Sequence, residues 1–489
     1  MTTPTGHAQR VAIIGAGFSG LAAAIALRQR GIEDFVIFEQ SEGIGGTWWF
    51  NRYPGAEVDL ESHVYSFSYA RCDWTRTHVG WQELQEYLER VAYDWDLPRR
   101  IRFNEKVVDV RWSDEKQTHT VTTSSGADHG EFTAVISAVG FLNIPLVPPF
   151  AREDNDFQGA MCHTSAWIDG LDLTGKSVGV VGTGSSAVQV VTEAEKVAGD
   201  VTIFQLEPNW IVPKHSRAFT PLERRLNKLR PVYAWRRWAL YFDYDRRQLR
   251  SSHARSTGRF NRRRHQASLE FMRRELAGRP DLLEKVTPTF AFEGKRTVCS
   301  DTYYASLRSP KVTLVPHALK GLTRTGAVDA NGDEHDLDVI VLATGFDAAN
   351  YLGNYQVYGQ GGRELHSAWQ GEPEAFLGMM VPGFPNFFIM YGPNTNSVPL
   401  VHFYEAQADF AASLIKRAAK TGHRVIDVRR SAFVIYNDWL QAQLAKTVWA
   451  RTSNYFRAGT GKVVSQWPFG ATPYILATKL LRRIAVRLT

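Results

Sequence analysis

The sequence has few of the features that mark secreted, membrane-spanning or metal-binding proteins. Its three cysteines, Cys72, Cys162 and Cys299, are far apart and form no CxxC pair. This spacing argues against a disulfide framework, a cysteine-based zinc site and a dithiol active site. No apolar run reaches the roughly 18–20 residues of a transmembrane helix, and residues 1–10 are polar, without the apolar core of a secretory signal. We therefore expect a cytoplasmic protein with no metal site and no transmembrane segment.

Positive charge is unevenly distributed. The net charge is +7, and much of it lies between Glu223 and Glu275, where aromatic residues such as Trp235 and Trp238 recur at helical spacing. A basic aromatic helix can bind an anionic membrane surface or nucleic acid, but basic faces are more often only solvated. We expect a helical insertion that packs its aromatic face on the rest of the chain, with no nucleic-acid partner and at most weak peripheral membrane contact.

The chain is organised around a strand, a glycine turn, a helix and a second strand near its N-terminus. The apolar run Val11–Ile14 leads into GAGFSG, and a second run, Phe35–Phe38, ends in an acid. An acid about 20 residues after the last glycine completes the dinucleotide-binding fingerprint. The helix start offers free N–H groups to a pyrophosphate, and the acid can accept a hydrogen bond from a ribose hydroxyl. The residues that we assign to this nucleotide are Gly15, Gly17, Ser19, Gly20 and Glu39.

The next segment predicts a loop suited to a flat ring system. It contains two glycines, clustered aromatic residues and a Tyr-Pro-Gly turn. GGTWxxxxYPGxxxD after GxGxxG resembles the type I Baeyer–Villiger flavoprotein monooxygenases. The resemblance implies that the first nucleotide is FAD and that Asp59 lies near both the flavin and the nicotinamide. Further FAD contacts are then expected at Gly46, Thr47, Trp48, Tyr65, Val107 and Asn394.

A second segment carries the same resemblance. Phe157 to Trp167 matches FxGxxxHxxxW, a fingerprint of this monooxygenase family, although Ile168 stands where Pro or Asp is usual. No base or nucleophile is spaced beside His163, so we favour a structural histidine between domains over acid–base catalysis. The family implies that this histidine orders the linker and couples domain motion to turnover.

A second strand–turn–helix–strand unit follows. Ser177–Val181 leads into GTGSSA, then a helix and a strand that ends at Phe204. Two such units imply two bound nucleotides, and the simplest reaction between them is hydride transfer from a nicotinamide to a flavin. We predict an α/β fold of two Rossmann-like three-layer domains, with the helical insertion in the second. The residues assigned to the nicotinamide nucleotide are Gly182, Thr183, Gly184, Ser185, Ser186, Ala187, Gln189 and Glu207.

The choice of nicotinamide depends on a departure from the family. Leu206 and Glu207 occupy positions where Arg-Thr usually binds the 2′-phosphate of NADPH, and an acid there favours the 2′-hydroxyl of NADH. Against this, Lys295 keeps its place, and Lys214 and Arg217 are near enough in sequence to contact a phosphate. We expect NADPH, with NADH possible and discrimination between them weak.

The catalytic residues are assigned from the resemblance. The sequence GKR…DTYY resembles the segment that delivers the active-site arginine. This places Arg296 over the flavin, Lys295 near the nucleotide phosphate and Asp59 beside the arginine. The implied cycle reduces FAD, forms a C4a-peroxyflavin with O₂ and converts a ketone into an ester or lactone. A fixed cation in a dry site would stabilise the anionic peroxide.

The motifs divide the chain into five parts. Residues 1–145 and 346–489 would form the FAD-binding domain, the second part including a C-terminal segment at the substrate pocket. Residues 150–220 and 291–345 would form the NAD(P)H-binding domain, with residues 221–290 as the insertion. The family's usual Ser-Trp-Tyr in the C-terminal segment is Ser453-Asn454-Tyr455 here, so this edge of the pocket differs.

Three other functions remain open on the sequence. The first is a flavin monooxygenase that oxidises only sulfides or amines, which the segment from Phe157 to Trp167 argues against. The second is an NAD(P)H oxidase or reductase. The third is a non-enzymatic redox or membrane-associated protein, which the arginine-rich insertion motivates.

Overall fold

Two separate parallel sheets form the centre of the chain. The computed structural model describes residues 9–152, 155–251 and 258–489. Residues 1–8, where we expected no secretory signal, and residues 252–257 of the predicted insertion lie outside this part. The first sheet has five parallel strands in the order Phe387–Ile389, Ala134–Ser137, Val11–Ile14, Phe35–Phe38 and Ile101–Arg102.

The second sheet repeats this design and confirms the predicted α/β class. It also has five parallel strands, and their order is Val312–Val315, Asp200–Phe204, Ser177–Val181, Val339–Leu342 and Ala160–His163. Strand Val11–Ile14 is buried along its whole length, and strand Ser177–Val181 is buried after Ser177, because both faces of each sheet are covered.

Smaller sheets cover one face of each parallel sheet. Val107–Ser113, Thr118–Thr123 and Glu131–Phe132 pair antiparallel, and Gln356–Tyr358 joins them in parallel. Leu319–Leu322, Gly326–Asp329 and Glu334–Asp336 form an antiparallel sheet beside the second parallel sheet. Two strand pairs complete the set: Ile211–Val212 with Val298–Cys299, and Ile426–Val428 with Val486–Leu488.

Helices cover the opposite faces, so that each domain has three layers. Helix Phe18–Gln29 is buried from Phe18 to Leu27 and packs against helix Leu400–Thr421. Along the first strand, Val11 and Ile13 face these helices, while Ala12 and Ile14 face the small sheet. The other α-helices outside the insertion are Thr47–Phe50, Trp81–Asp94, Ser185–Val197, Tyr303–Leu307, Leu365–Trp369, Arg430–Leu444 and Ala471–Leu481.

The predicted insertion is helical. Its helices are Pro221–Asn227, Arg230–Ser251, Arg259–Glu275 and Pro280–Val286. The first begins with a capping box, in which the Thr220 side chain accepts from the Glu223 N–H and the Glu223 carboxylate accepts from the Thr220 N–H. Within the described ranges, every helix is too short or too polar to span a lipid bilayer.

Three local predictions were wrong. The aromatic loop contains one helical turn, Thr47–Phe50, which begins where Gly46 turns the backbone with φ +57°. The sequence from Ile101 to Trp112 also predicts a single strand, but it forms two strands in different sheets, because Asn104, with φ +58°, breaks the run. The sequence from Ser431 to Trp449 predicts one helix, but the helix ends at Leu444 and a separate 3₁₀ turn, Val448–Arg451, follows.

Candidate active site

A cavity of about 360 Å³ opens at the carboxyl end of the first sheet. Parallel sheets bind ligands at this edge, where the strands lead into loops. The cavity brings together nine of the residues that the sequence assigned to FAD. These are Gly15, Gly17, Ser19, Glu39, Gly46, Thr47, Trp48, Tyr65 and Val107.

The glycine turn leaves no room for side chains. Gly15 has φ +102°, and a Cβ there would lie 2.8 Å from the Ala138 carbonyl oxygen. A Cβ on Gly20 would lie 1.9 Å from the Gly15 carbonyl oxygen, so Gly20 acts by letting the helix pack against the turn. Gly17 and Gly46 face each other, and a Cβ on Gly46 would lie 3.0 Å from Gly17 Cα. Two backbone segments thus form one wall of the cavity.

Glu39 is buried at the end of the second strand and holds this wall in place. Its Oε2 accepts from the Ala16 N–H at 2.7 Å, and its Oε1 accepts from the N–H and hydroxyl of Ser41 at 2.9 and 2.8 Å. Oε2 has one of its two lone pairs free and can accept a further hydrogen bond. The carboxylate lines the cavity, so a ribose hydroxyl is a chemically suitable partner.

Trp48 and Tyr65 form an aromatic corner of the cavity. The Trp48 indole N–H donates to the Tyr65 hydroxyl at 3.3 Å, and the two rings meet edge to face with centroids 5.8 Å apart. Burial raises the pKa of Tyr65 to about 12, so the phenol stays protonated. A flat apolar surface with one polar edge suits an aromatic ring system.

The second glycine turn reproduces the geometry of the first. Gly182 has φ +121°, and a Cβ there would lie 2.6 Å from the Ala343 carbonyl oxygen. In the first turn, a Cβ on Gly15 would meet the Ala138 carbonyl oxygen in the same way. Gly184 has open space where its Cβ would point. The Thr183 hydroxyl donates to the Glu207 carbonyl at 2.7 Å. The turn therefore presents the N-terminus of helix Ser185–Val197 to an open cleft.

The Tyr-Pro-Gly turn joins the two domains. The Tyr53 hydroxyl lies 3.0 Å from Ser186 Oγ and donates to Gln189 Oε1 at 2.8 Å. The Gln189 amide donates to the Glu57 carbonyl at 3.1 Å. Both polar atoms of Gln189 are thus engaged between domains, and its assignment to the nucleotide stays a prediction. Gly55 packs so closely on this helix that a Cβ would lie 2.9 Å from the Gln189 carbonyl oxygen.

Asp59 and Arg296 form an ion pair between the two turns. Asp59 Oδ2 accepts from the Arg296 guanidinium and lies 3.5 Å from Ser185 Oγ. Asp59 is largely buried, whereas 47% of the Arg296 side chain is exposed, as expected of a group that faces a cleft. Burial opposes the charged form of Arg296, but the neighbouring groups together, with the Asp59 carboxylate first among them, raise the pKa of the guanidinium. The site therefore holds a permanent cation.

The C-terminal segment holds the arginine segment, a role that the sequence did not assign to it. The Asn454 amide donates to the Gly294 carbonyl at 2.8 Å, and a Cβ on Gly294 would lie 2.3 Å from Thr452 Oγ1. Burial raises the pKa of the Tyr455 phenol, and the nearby Arg296 charge partly offsets this. The departure from Ser-Trp-Tyr at Asn454 was the sequence feature that could have indicated this contact.

Lys295 does not stand free to meet a phosphate. Its ammonium group forms an ion pair with the Glu207 carboxylate and lies 4.9 Å from the centre of the Phe290 ring. The other two cations that the sequence offered are also paired, and a contact between any of the three and a phosphate stays a prediction. Lys214 is buried against Glu57, with Nζ 2.8 Å from Oε1, and Arg217 pairs with Glu223.

His163 lies where the chain passes between the domains. Its Nε2 donates to the Gly345 carbonyl at 3.1 Å, and its Nδ1 accepts from the Ser165 N–H at 3.1 Å. Burial lowers the pKa of the imidazole, so the ring is neutral. These contacts match the structural role that we favoured, since both ring nitrogens are bound to backbone groups, one of Gly345 and one of Ser165.

Two predicted contacts lie away from the cavity. Asn394 is buried, and its amide donates to the carbonyls of Val463 and Gln466 at 2.9 and 3.2 Å. It anchors the C-terminal segment to the turn after the first sheet. Ala187 is buried inside the second domain, where it replaces the third glycine of the fingerprint. Their direct contact with a nucleotide stays a prediction.

Comparisons with known proteins agree with this geometry. Residues 8–229 match the family described as flavin-binding monooxygenase-like. A Baeyer–Villiger monooxygenase of Pseudomonas aeruginosa is 35% identical over 480 residues, which cover 96% of this chain and 89% of that protein. A phenazine N-monooxygenase of Lysobacter antibioticus is 32% identical over 464 residues, which cover 86% of this chain and 84% of that protein.

Solved structures extend the likeness to the whole fold. An oxidized steroid monooxygenase bound to NADP is 28% identical, with a TM-score of 0.87, and the match covers 98% of this chain and 99% of that one. The resemblance inferred from the sequence is thereby confirmed over almost the entire length. The chain belongs to the Baeyer–Villiger family of flavin-binding monooxygenases.

Proposed function

We propose that this protein is an FAD-dependent Baeyer–Villiger monooxygenase that uses NADPH and O₂ to convert a ketone into an ester or lactone. The observation that carries the proposal is the Arg296–Asp59 pair between the two dinucleotide turns. A cation at this position lies between the cavity of the first domain and the helix start of the second. Flavin reduction and oxygen insertion, the two halves of the proposed reaction, then share one charged group.

The cavity of the first domain fits FAD. Gly17 and Gly46 leave bare backbone where a pyrophosphate would approach, and the buried Glu39 carboxylate lines the far end. When bound there, FAD supplies the hydride acceptor and the activation of O₂. NADPH would bind at the turn from Gly182 to Ala187, with the N-terminus of helix Ser185–Val197 facing its phosphates.

Each member of the ion pair has a distinct role in this proposal. Arg296 would stabilise negative charge that develops on oxygen during the reaction, because a fixed guanidinium needs no reorganisation. Asp59 holds the guanidinium and keeps it close to Ser185 of the nicotinamide site. Tyr455 and Asn454 act as positioning residues, since they hold the segment that carries Arg296.

The proposed domain division follows the two sheets. Residues 1–145 and 346–489 would form the FAD-binding domain, because the strand Phe387–Ile389 completes the first sheet. Residues 150–220 and 291–345 would bind the nicotinamide nucleotide, with residues 221–290 inserted. We propose a cytoplasmic location, which the scattered cysteines support.

One relative supports a second candidate function. The similarity to a phenazine N-monooxygenase makes oxygenation of nitrogen, or of sulfur, the main competitor. An amine or a sulfide attacks an electrophilic oxygen directly. A ketone instead requires that the activated oxygen add to its carbonyl carbon. The two activities therefore differ in the substrate that consumes the activated oxygen and in the product.

One experiment separates these functions. The purified protein is denatured to release and identify its flavin, and NADPH-dependent oxygen uptake is then measured with linear, cyclic and aryl ketones, a sulfide and a tertiary amine. One non-covalent FAD per chain and an ester or lactone product are expected. FMN in place of FAD, or N-oxide and sulfoxide products without any ester, would contradict the proposal. Uptake that yields only hydrogen peroxide would identify an oxidase.

A further inference from the structure

The insertion exposes an aromatic stripe to solvent. On helix Arg230–Ser251, Trp235 and Trp238 are 67% and 59% exposed, and Phe242 is also exposed. These positions are three, four and seven residues apart, so they lie on one side of the helix. The Trp238 and Phe242 rings pack together, with centroids 4.4 Å apart. Tryptophan is costly to expose, and the sequence had led us to expect this face to be packed.

A second apolar feature lies on the C-terminal helices. A groove of about 520 Å³ runs between helices Arg430–Leu444 and Ala471–Leu481, and its walls are almost wholly apolar. Ile484 at its edge is 71% exposed, and Ile435 and Trp439 are exposed as well. The Trp439 and Phe469 rings stack at its base with centroids 5.5 Å apart.

The stripe and the groove adjoin. The Tyr241 hydroxyl lies 2.7 Å from Thr472 Oγ1, and Asp245 Oδ1 accepts from the Thr472 N–H at 3.1 Å. Thr472 is next to Pro473 of the groove, and the Tyr241 ring contacts Phe242 of the stripe, with centroids 5.5 Å apart. The two features therefore lie side by side, and together they expose six large apolar side chains on one region of the surface, where an ordinary soluble protein scatters them singly.

The charge around this surface is mainly positive, although Asp438 is exposed beside Trp439. Residues 221–251 contain nine Lys and Arg against three acids. Arg225, Lys228, Arg230 and Arg246 are exposed on the stripe's helices, and Arg430, Lys479 and Arg483 are exposed on the helices that form the groove. Exposed tryptophan side chains surrounded by basic residues are complementary to an anionic bilayer, which has negatively charged headgroups above an apolar interior.

We propose that this basic aromatic face, formed by Trp235, Trp238, Phe242, Ile435, Trp439 and Ile484, docks on the surface of an anionic lipid bilayer. The tryptophans enter the headgroup region, where their indole rings are favoured, and the basic residues bind lipid phosphates. The docking does not depend on the proposed enzyme activity, because no residue of the face belongs to the site described above.

Vesicle binding tests the proposal directly. The FAD-loaded full-length protein is sedimented with phosphatidylcholine vesicles and with vesicles that also contain phosphatidylglycerol. The bound fraction should be at least tenfold larger on the anionic vesicles and should fall with added salt. The tryptophan emission should shift to the blue on binding. Equal binding to both vesicles, or binding to neither, would overturn the proposal.

Two variants and a control locate the surface. Trp235→Ser with Trp238→Ser should abolish the binding, and Arg225→Glu with Arg230→Glu should weaken it at least tenfold. Val197→Ser, which changes an exposed apolar residue of the second domain, should bind like the wild type. Flavin content and circular dichroism establish that the variants are folded. A dimer that the tryptophan variant disrupts, without any vesicle binding, would instead assign the face to a second copy of the chain.

Discussion

Lys295 and Glu207 form an ion pair at the carboxyl end of the second sheet. On the sequence alone, these residues favour different nucleotides, since the lysine suits the phosphate of NADPH and the acid suits the hydroxyl of NADH. In the structure, each neutralises the other. Both side chains are partly exposed, and a surface pair of this kind is worth only about 0.2–1 kcal/mol. A phosphate can therefore displace Glu207 at little cost, which explains how one site would accept both nucleotides.

We predict that removal of the acid strengthens NADPH binding. Glu207→Gln frees Lys295 for the 2′-phosphate, and Leu206→Arg with Glu207→Thr adds a second cation. The double variant should gain roughly 1–3 kcal/mol, the scale of a charge-assisted hydrogen bond. The measurement is KM and kcat with NADPH and NADH. Asp281→Asn, which breaks the exposed ion pair with Arg279, is the control and should leave KM and kcat unchanged with both nucleotides. Wild-type protein that already excludes NADH by several orders of magnitude would show that another residue recognises the phosphate.

Arg296→Ala should separate the two halves of the reaction. Flavin reduction needs only contact between the donor and the flavin, whereas oxygen insertion needs the cation. Loss of one preorganised stabilising group costs on the order of 3 kcal/mol, or about a hundredfold in rate. Stopped-flow reduction should be largely intact while ester formation falls. Arg296→Lys keeps the charge but loses the planar fork, so its rate should lie between the two. Full ester yield from the alanine variant would remove Arg296 from the mechanism.

Asp59→Ala should slow both halves, because Asp59 contacts the arginine and lies beside Ser185 of the nicotinamide site. The alanine variant leaves the guanidinium without its partner, so Arg296 is no longer held in one position. Rates of flavin reduction and of ester formation, measured on the same preparation, test this. Ser185→Ala is the matched variant and should affect reduction alone. If Asp59→Ala slows only ester formation, its contact with Ser185 has no function.

Buried histidines should make the protein less stable in mild acid. Burial lowers the pKa of His119 to about 4, and its Nε2 donates to the Pro385 carbonyl. Burial and nearby arginines lower the pKa of His63 to about 3. Below the ordinary value of about 6.5 the unfolded chain binds protons that the folded chain does not, so the free energy of unfolding falls as pH falls. Each such histidine contributes about 1.4 kcal/mol per pH unit until its folded pKa is reached.

Urea unfolding between about pH 7 and pH 5 measures this slope. His119→Gln keeps a donor for Pro385 and removes one titrating group, so its stability should depend less steeply on pH than that of the wild type. His317→Gln changes a partly exposed histidine and serves as the control. A His119 variant with the wild-type slope would show that this histidine binds protons equally in the folded and unfolded states.

Local features of the sequence predicted the architecture, but they did not predict which side chains pair when the partners lie far apart in the chain. The runs Val11–Ile14 and Ser177–Val181, each followed by glycines, identified both sheets because buried parallel strands are continuously apolar. The partners of Lys295 and Asn454 lie 88 and 160 residues away. No spacing rule connects such positions, since only the packing of the C-terminal segment and the second sheet brings them together. The family resemblance could therefore pair Asp59 with Arg296, but the sequence could not pair Lys295 with Glu207 or Asn454 with Gly294.

The strand Phe387–Ile389 has a consequence for how the chain is made. It completes a sheet whose other strands lie before residue 138, and helix Leu400–Thr421 covers the apolar helix Phe18–Gln29. On the ribosome, all strands of the second sheet have been synthesised once Leu342 emerges, while the first still lacks an edge and its covering helix. Domains usually fold in the order in which they are synthesised. Here the N-terminal domain is started first and finished last, and its apolar helix lacks its covering partner until helix Leu400–Thr421 has been synthesised.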